Sequence, residues 1–172
     1  KSWVIEHIGL IDDADFARIK ALGLSVTVIP VYMLWKNGEV YRPRIGDGEN
    51  FVPLRTLLEE GIPTGAGTDN IPYNPFFTMW AMRKRQERVS GDVLGPGQQL
   101  TARQALRIMT LEGARVARSE HQLGTIEVGK KADLAVLSAD PLDCDLETLP
   151  TIAAELTMTD GVVRHDSGRL AP

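Results

Sequence analysis

Residues 61–75 read GIPTGAGTDNIPYNP. A short run of apolar and small residues, 62–68, ends at Thr68-Asp69, and Pro72, Asn74 and Pro75 close in directly behind it. The spacing predicts a buried strand that delivers a carboxylate to its own exit, ahead of a rigid loop. Gly65-Ala66-Gly67 leaves room for neighbouring backbone to pack closely beneath that exit. Working outward, WVIEHIG gives a strand over 3–8 that carries His7 at its end, and LSVTVIP gives another over 24–30, stopped by Pro30. Helices are expected between and after them: DADFARIKALG with Asp12 as its cap and Gly23 at its C-terminus, FVPLRTLLEEG up to Gly61, and PFFTMWAMRKRQERV over 75–89. Strands and helices alternating in this way define an α/β fold with a parallel sheet or barrel.

Past residue 90 the pattern changes. SGDVLGPGQQL reads as a linker, and Thr101 with Gln104 has the spacing of a capping box, so a helix starts there and Gly113 is expected to bend or split it. From Gly124 onward, a Gly-Lys-Lys turn precedes a strand at 132–138, and IAAELTMTDGVVRHDSG alternates in period two across Asp160-Gly161, a hairpin signal. The β-rich part, from about residue 120 to 168, is too small to stand alone. Val31 to Asn50 reads as one long loop, functional or disordered.

Composition narrows the partners. A formal net charge of -4 argues against nucleic acid, which needs a concentrated basic face. The densest basic run, Arg83-Lys84-Arg85 with Arg88, is broken by Gln86 and Glu87 and reads as a solvated helix face. The single cysteine, Cys144, permits no internal disulfide and no cysteine-based zinc motif, and reads as a shielded structural thiol. No apolar run approaches the roughly 20 residues that span a bilayer. The chain opens without Met, inside an expected strand, as a fragment begins; the absence of targeting signals points to the cytoplasm.

In parallel α/β folds, functional groups sit at the C-terminal ends of strands. His7 and Asp69 occupy two such ends, and imidazole with carboxylate is a ligand pair for Zn²⁺. The plainer alternative is a hydrogen-bonded histidine and a turn-capping aspartate. Asn70, Tyr73 and Asn74 follow on the loop, where substrate contact and turn chemistry are equally open readings. Tyr32, Trp35, Tyr41, Arg42 and Arg44 lie on the long 31–50 loop, as a pocket cover or as solvent-exposed chain. Met79, Trp80 and Met82 are at helical spacing and belong to the core. Gly129-Lys130-Lys131 lacks the glycine spacing and the Ser/Thr of a phosphate loop.

Three stretches in order, IEHIGLIDDADFARIKALGLSVTVIP, LLEEGIPTGAGTDN and LTARQALRIMTLEGARVA…LGTIEVGKKADLAVLSADPL, resemble the C-terminal third of the metal-dependent amidohydrolase superfamily, with the YtcJ-like branch most similar. The last is the most specific: a helix, then Gly-x-Ile-x-x-Gly-Lys-x-Ala-Asp-Leu-x-Val-Leu and Asp-Pro-Leu. The resemblance implies a (β/α)8 TIM barrel with a small β-sandwich built from both chain ends. Residues 1–120 would then supply barrel strands six to eight, and 121–172 the C-terminal part of the composite sandwich. It also implies that His7, in the "EH" motif, is a metal ligand, and that Asp69 is metal-proximal and catalytic. The metal lowers the pKa of a bound water, and Asp69 takes its proton and later gives it to the leaving nitrogen.

The implied activity is hydrolysis of non-peptide amide or cyclic amide C–N bonds in a small-molecule substrate, with a divalent metal, zinc, as cofactor. The family's His-x-His, its bridging Lys or carboxylate and its strand-five His have no counterpart here, so the fragment alone is expected to hold the metal incompletely or not at all. Two rivals stand beside this reading. One is a catalytically inactive truncated chain that self-associates across open strand edges, as a homo-oligomer or with a missing N-terminal segment. The other is a small α/β binding domain in which His7 and Asp69 are structural.

Overall fold

The structure, a computed structural model, describes residues 3–69 and 72–170. It is α/β, with one parallel and one antiparallel three-stranded sheet among the described residues. The parallel sheet is built from β1 (Val4–Ile5), β2 (Ser25–Val28) and β3 (Thr64–Ala66), in that order. Its register pairs Ile5 with Val26, Val26 with Thr64, and Thr27 with Gly65. β1 is shorter than the expected 3–8 because His7 turns the chain out of the ladder at φ 56°.

One face of this sheet is covered by α1 (Asp13–Ala21) and α3 (Leu54–Glu59). Phe16 and Ile19 of α1 close on Val26, Leu57 and Ile62. Each such side chain stabilises the fold by roughly 1.5–3 kcal/mol on burial. Asp12 does occupy the cap position of α1, but its side chain accepts no capping hydrogen bond. A larger cluster gathers Val28, Leu34, Phe51, Met79, Met82, Leu100, Ile108 and Leu149, and Trp80 joins it, as its spacing predicts.

The stretch 31–50 departs from the expected loop. It is largely helical, with a π-turn at Val31–Lys36, α2 (Gly38–Tyr41) and a 3₁₀ turn at Arg42–Arg44. Val31 and Leu34 are fully buried, so the segment forms part of the core and is not a flap. Each turn is too short for hydrophobic periodicity to show, which is why glycine, proline and asparagine dominate its sequence signal.

The basic run departs too. The next helix, α4 (Pro75–Lys84), ends five residues before the expected 89, and Arg85 turns left-handed at φ 53°. That turn sends its side chain inward, where it is fully buried. Burial pulls its pKa down to about 10, against the opposing pull of Glu49.

The Thr101 capping box forms in full and starts α5 (Ala102–Arg107). The helix is interrupted by a π-turn at Ile108–Glu112, before Gly113, and resumes as α6 (Gly113–Val116). β4 (Leu134–Leu137), β5 (Ala154–Thr159) and β6 (Val162–Asp166) form the antiparallel sheet. Asp160 and Gly161 both have positive φ, 51° and 78°, which matches the twist of a two-residue hairpin. Among the described residues no helix is long and apolar enough to cross a membrane.

Candidate active-site rim

Because β1, β2 and β3 run parallel, the residues that follow them emerge at one end of the sheet. His7 lies two positions beyond Ile5 and Asp69 three beyond Ala66, on either side of the central strand. Both have left-handed backbone, φ 56° and 58°. For a residue with a Cβ this conformation costs on the order of 1–3 kcal/mol and persists only where the surroundings enforce it; such positions concentrate at functional sites.

Between the strand ends lies a cleft of about 290 Å³, lined by Glu6, His7, Thr27, Gly65 and Gly67 on the sheet side. Met109, Gly113 and Val116 line its other wall. A Cβ on Gly65 would meet Val116 Cγ2 at 3.6 Å and Gly113 Cα at 3.7 Å, ordinary contacts, so what packs over this position is a helix and not a neighbouring strand, and the packing leaves room for a methyl group. His7 is exposed, while Asp69 is partly buried. The Thr68 hydroxyl donates to the Asp69 carbonyl at 3.3 Å.

The other residues singled out by sequence fall in different places. Asn70 lies outside the described residues. Tyr73 is 74% exposed. Asn74 caps α4: its Oδ1 accepts from the amides of Phe76 at 2.8 Å and Phe77 at 3.3 Å, and its Nδ2 donates to the Pro150 carbonyl at 2.8 Å. Turn chemistry is thus what the Asn74 side chain performs. Trp35 meets Phe77 edge-on, with centroids 5.1 Å apart, and Phe77 stacks on Trp80. The other two histidines, His121 and His165, are exposed. Sequence reasoning passed over Glu6, signalled only by its place beside His7, and Thr27, whose position opposite Gly65 appears only in the folded ladder.

As a test of a divalent metal, the donor types at the rim fit, imidazole nitrogen and carboxylate oxygen, but their number does not. Among the described residues no three His, Cys, Asp or Glu side chains converge as a metal site would require. His7 and Asp69 alone fall short of the three protein ligands of a catalytic zinc site.

The Amidohydrolase family model matches residues 2–165. The chain belongs to the amidohydrolase family. It is 30% identical over 168 residues to the N-substituted formamide deformylase of Arthrobacter pascens, covering 94% of this chain and 30% of that protein. It is 34% identical over 136 residues to the 5-methylthioadenosine/S-adenosylhomocysteine deaminase of Moorella thermoacetica, covering 78% of this chain and 32% of that one. Among solved structures, an uncharacterized metal-dependent hydrolase from Pyrococcus horikoshii OT3 matches with a TM-score of 0.72 at 27% identity, over 84% of this chain and 30% of that one. The chain therefore spans about a third of the length of the curated relatives it matches.

Proposed function

We propose that this chain supplies one part of the active-site rim of a hydrolase that cleaves non-peptide amide or cyclic amide C–N bonds in small molecules. The observation that carries the reading is the pair of left-handed residues, His7 and Asp69, at the same end of parallel strands that flank β2. Similarity to an N-substituted formamide deformylase supports the bond class; membership of the YtcJ-like branch is part of the proposal. In this reading β1, β2 and β3 are strands six to eight of a (β/α)8 barrel. Residues 1–120 belong to that barrel and 121–172 to a composite β-sandwich.

His7 would hold a divalent metal, zinc in this proposal, through an imidazole nitrogen with Asp69 beside it, and the metal would supply a bound water of lowered pKa. The remaining donors would have to come from outside the described residues, from a second copy or from a segment joined to this chain. Asp69 does the proton work: its carboxylate takes a proton from the attacking water and returns it to the departing nitrogen, so that the amine leaves neutral. The small-molecule amide would lie at the mouth of the cleft, between His7, which lines it, and Asp69, which stands outside its lining.

The test is hydrolysis of a panel of N-substituted formamides and cyclic amides, followed by amine release, together with elemental metal content. Turnover that is lost in Asp69→Asn and His7→Ala, with bound metal reduced in His7→Ala, supports the reading. Turnover that survives both substitutions, or a metal content that His7→Ala leaves unchanged, overturns it.

A further inference from the structure

In an uninterrupted strand consecutive side chains point to opposite faces. Ile5 packs toward the α1 layer, so Glu6 faces the opposite side and a regular His7 would return to the layer of Ile5. Instead Glu6 and His7, consecutive residues, both line the cleft. The left-handed backbone at His7 is what breaks the alternation.

Such a conformation must be enforced, and the enforcing groups all belong to one residue of the central strand. The His7 amide donates to Thr27 Oγ1 at 3.3 Å. The Ile8 amide donates to the Thr27 carbonyl at 3.0 Å. Thr27 Oγ1 in turn donates to the Glu6 carboxylate. Three successive residues of one strand exit are therefore tied to a single threonine. Across the ladder Thr27 faces Gly65, which has no side chain to compete for the hydroxyl.

We propose that Thr27 is a positioning residue that, with Glu6 as its acceptor, holds His7 in the left-handed turn and so directs it into the cleft. The proposal rests on the reading of His7 as a functional residue of that cleft. It is separable from it, because the backbone geometry of His7 can be observed without any ligand. The hydroxyl is the active part: it accepts one hydrogen bond and donates another, which serine reproduces and valine does not. Valine keeps the shape of threonine and suits a strand, so loss of the fold is not expected.

The experiment compares the protein with Thr27→Val, Thr27→Ser and Glu6→Gln by NMR, reading amide hydrogen exchange and the three-bond HN–Hα coupling at His7 and Ile8. Zinc titration of the same proteins and of His7→Ala forms the second arm. Thr27→Val is expected to speed His7 amide exchange by about tenfold, the loss of one ordinary hydrogen bond. It should also change the His7 coupling, while Thr27→Ser behaves as the parent. Glu6→Gln should fall between them, since it keeps an acceptor but removes its charge. An unchanged His7 amide in Thr27→Val overturns the proposal, whatever zinc does. If the amide responds but His7→Ala binds zinc as the parent does, the positioning role stands and the metal-ligand role of His7 falls.

Discussion

The carbonyl of Val52 accepts a hydrogen bond from Nη1 of Arg85 at 2.9 Å. Val52 is a fully buried β-branched residue at φ 47°, a conformation that valine rarely adopts. Nη2 of the same arginine holds the Phe51 carbonyl at 2.7 Å, and Nε holds that of Leu94. Val52 passes the restraint on, because its amide donates to the Gly9 carbonyl at 2.6 Å, two residues from His7. One buried guanidinium thus ties the end of α4 to the turn that follows β1.

Arg85→Met is expected to destabilise the protein by about 3–5 kcal/mol, because three buried carbonyls lose their donors together. Arg85→Lys should recover only part of this, since an ammonium lacks the planar fork. Urea unfolding of both variants checks the order.

Relief of strain should separate stability from function. His7→Gly removes the left-handed penalty and is expected to raise stability by about 1 kcal/mol while abolishing turnover. Asp69→Asn should leave the melting temperature within the range of a surface change and lower kcat by 10²–10⁴-fold, the usual worth of a positioned general base, on the order of 3–5 kcal/mol. Thermal melts and steady-state kinetics on the same preparations distinguish the two effects.

Acid sensitivity has a local source in Glu87. Burial pushes its carboxyl up, but the amides of Ser90 and Val89, the Ser90 hydroxyl and the charge of Arg42 outweigh burial and hold it below the ordinary value of 4.5. A depressed folded pKa contributes stability that is present above the unfolded value and is lost as pH falls through the folded one. Melting temperature measured from about pH 6 down to pH 3 should therefore fall less steeply in Glu87→Gln than in the parent, with the curves separating below the ordinary glutamate range.

Two glycines should respond very unequally to one methyl group. A Cβ on Gly65 meets only ordinary contacts, so Gly65→Ala should change stability by less than about 1 kcal/mol. Gly124 has φ 91° and its Cβ would lie 2.9 Å from both Ala114 Cβ and Leu111 Cα, so Gly124→Ala should cost about 2–4 kcal/mol. Calorimetric melts suffice.

How much of this was legible beforehand depends on the range of the interaction. The capping box at Thr101 and Gln104 and the hairpin at Asp160-Gly161 are local devices, and both stand as read. The core role of Met79, Trp80 and Met82 follows from helical spacing and also stands. Arg85 misled because a single left-handed residue ended the helix and reversed the side chain, and nothing in an Arg-Lys-Arg run announces that. The 31–50 segment misled because consecutive short turns carry breaker residues without periodicity. At the candidate site, His7 and Asp69 were visible as strand ends, but their backbone conformation was not, since neither stands in a turn dipeptide like Asp160-Gly161 that announces a positive φ. Thr27 was invisible for a different reason: its bonds reach across 20 positions of chain to His7.

The central claim is that His7 and Asp69 face one reacting centre. The most direct measurement is a crystal structure of the protein soaked in Zn²⁺, with the metal located by its anomalous scattering. A zinc peak is expected within about 2.0–2.2 Å of a His7 ring nitrogen and of an Asp69 carboxylate oxygen. A zinc peak elsewhere, or none at saturating zinc with both side chains ordered and apart, would contradict the claim.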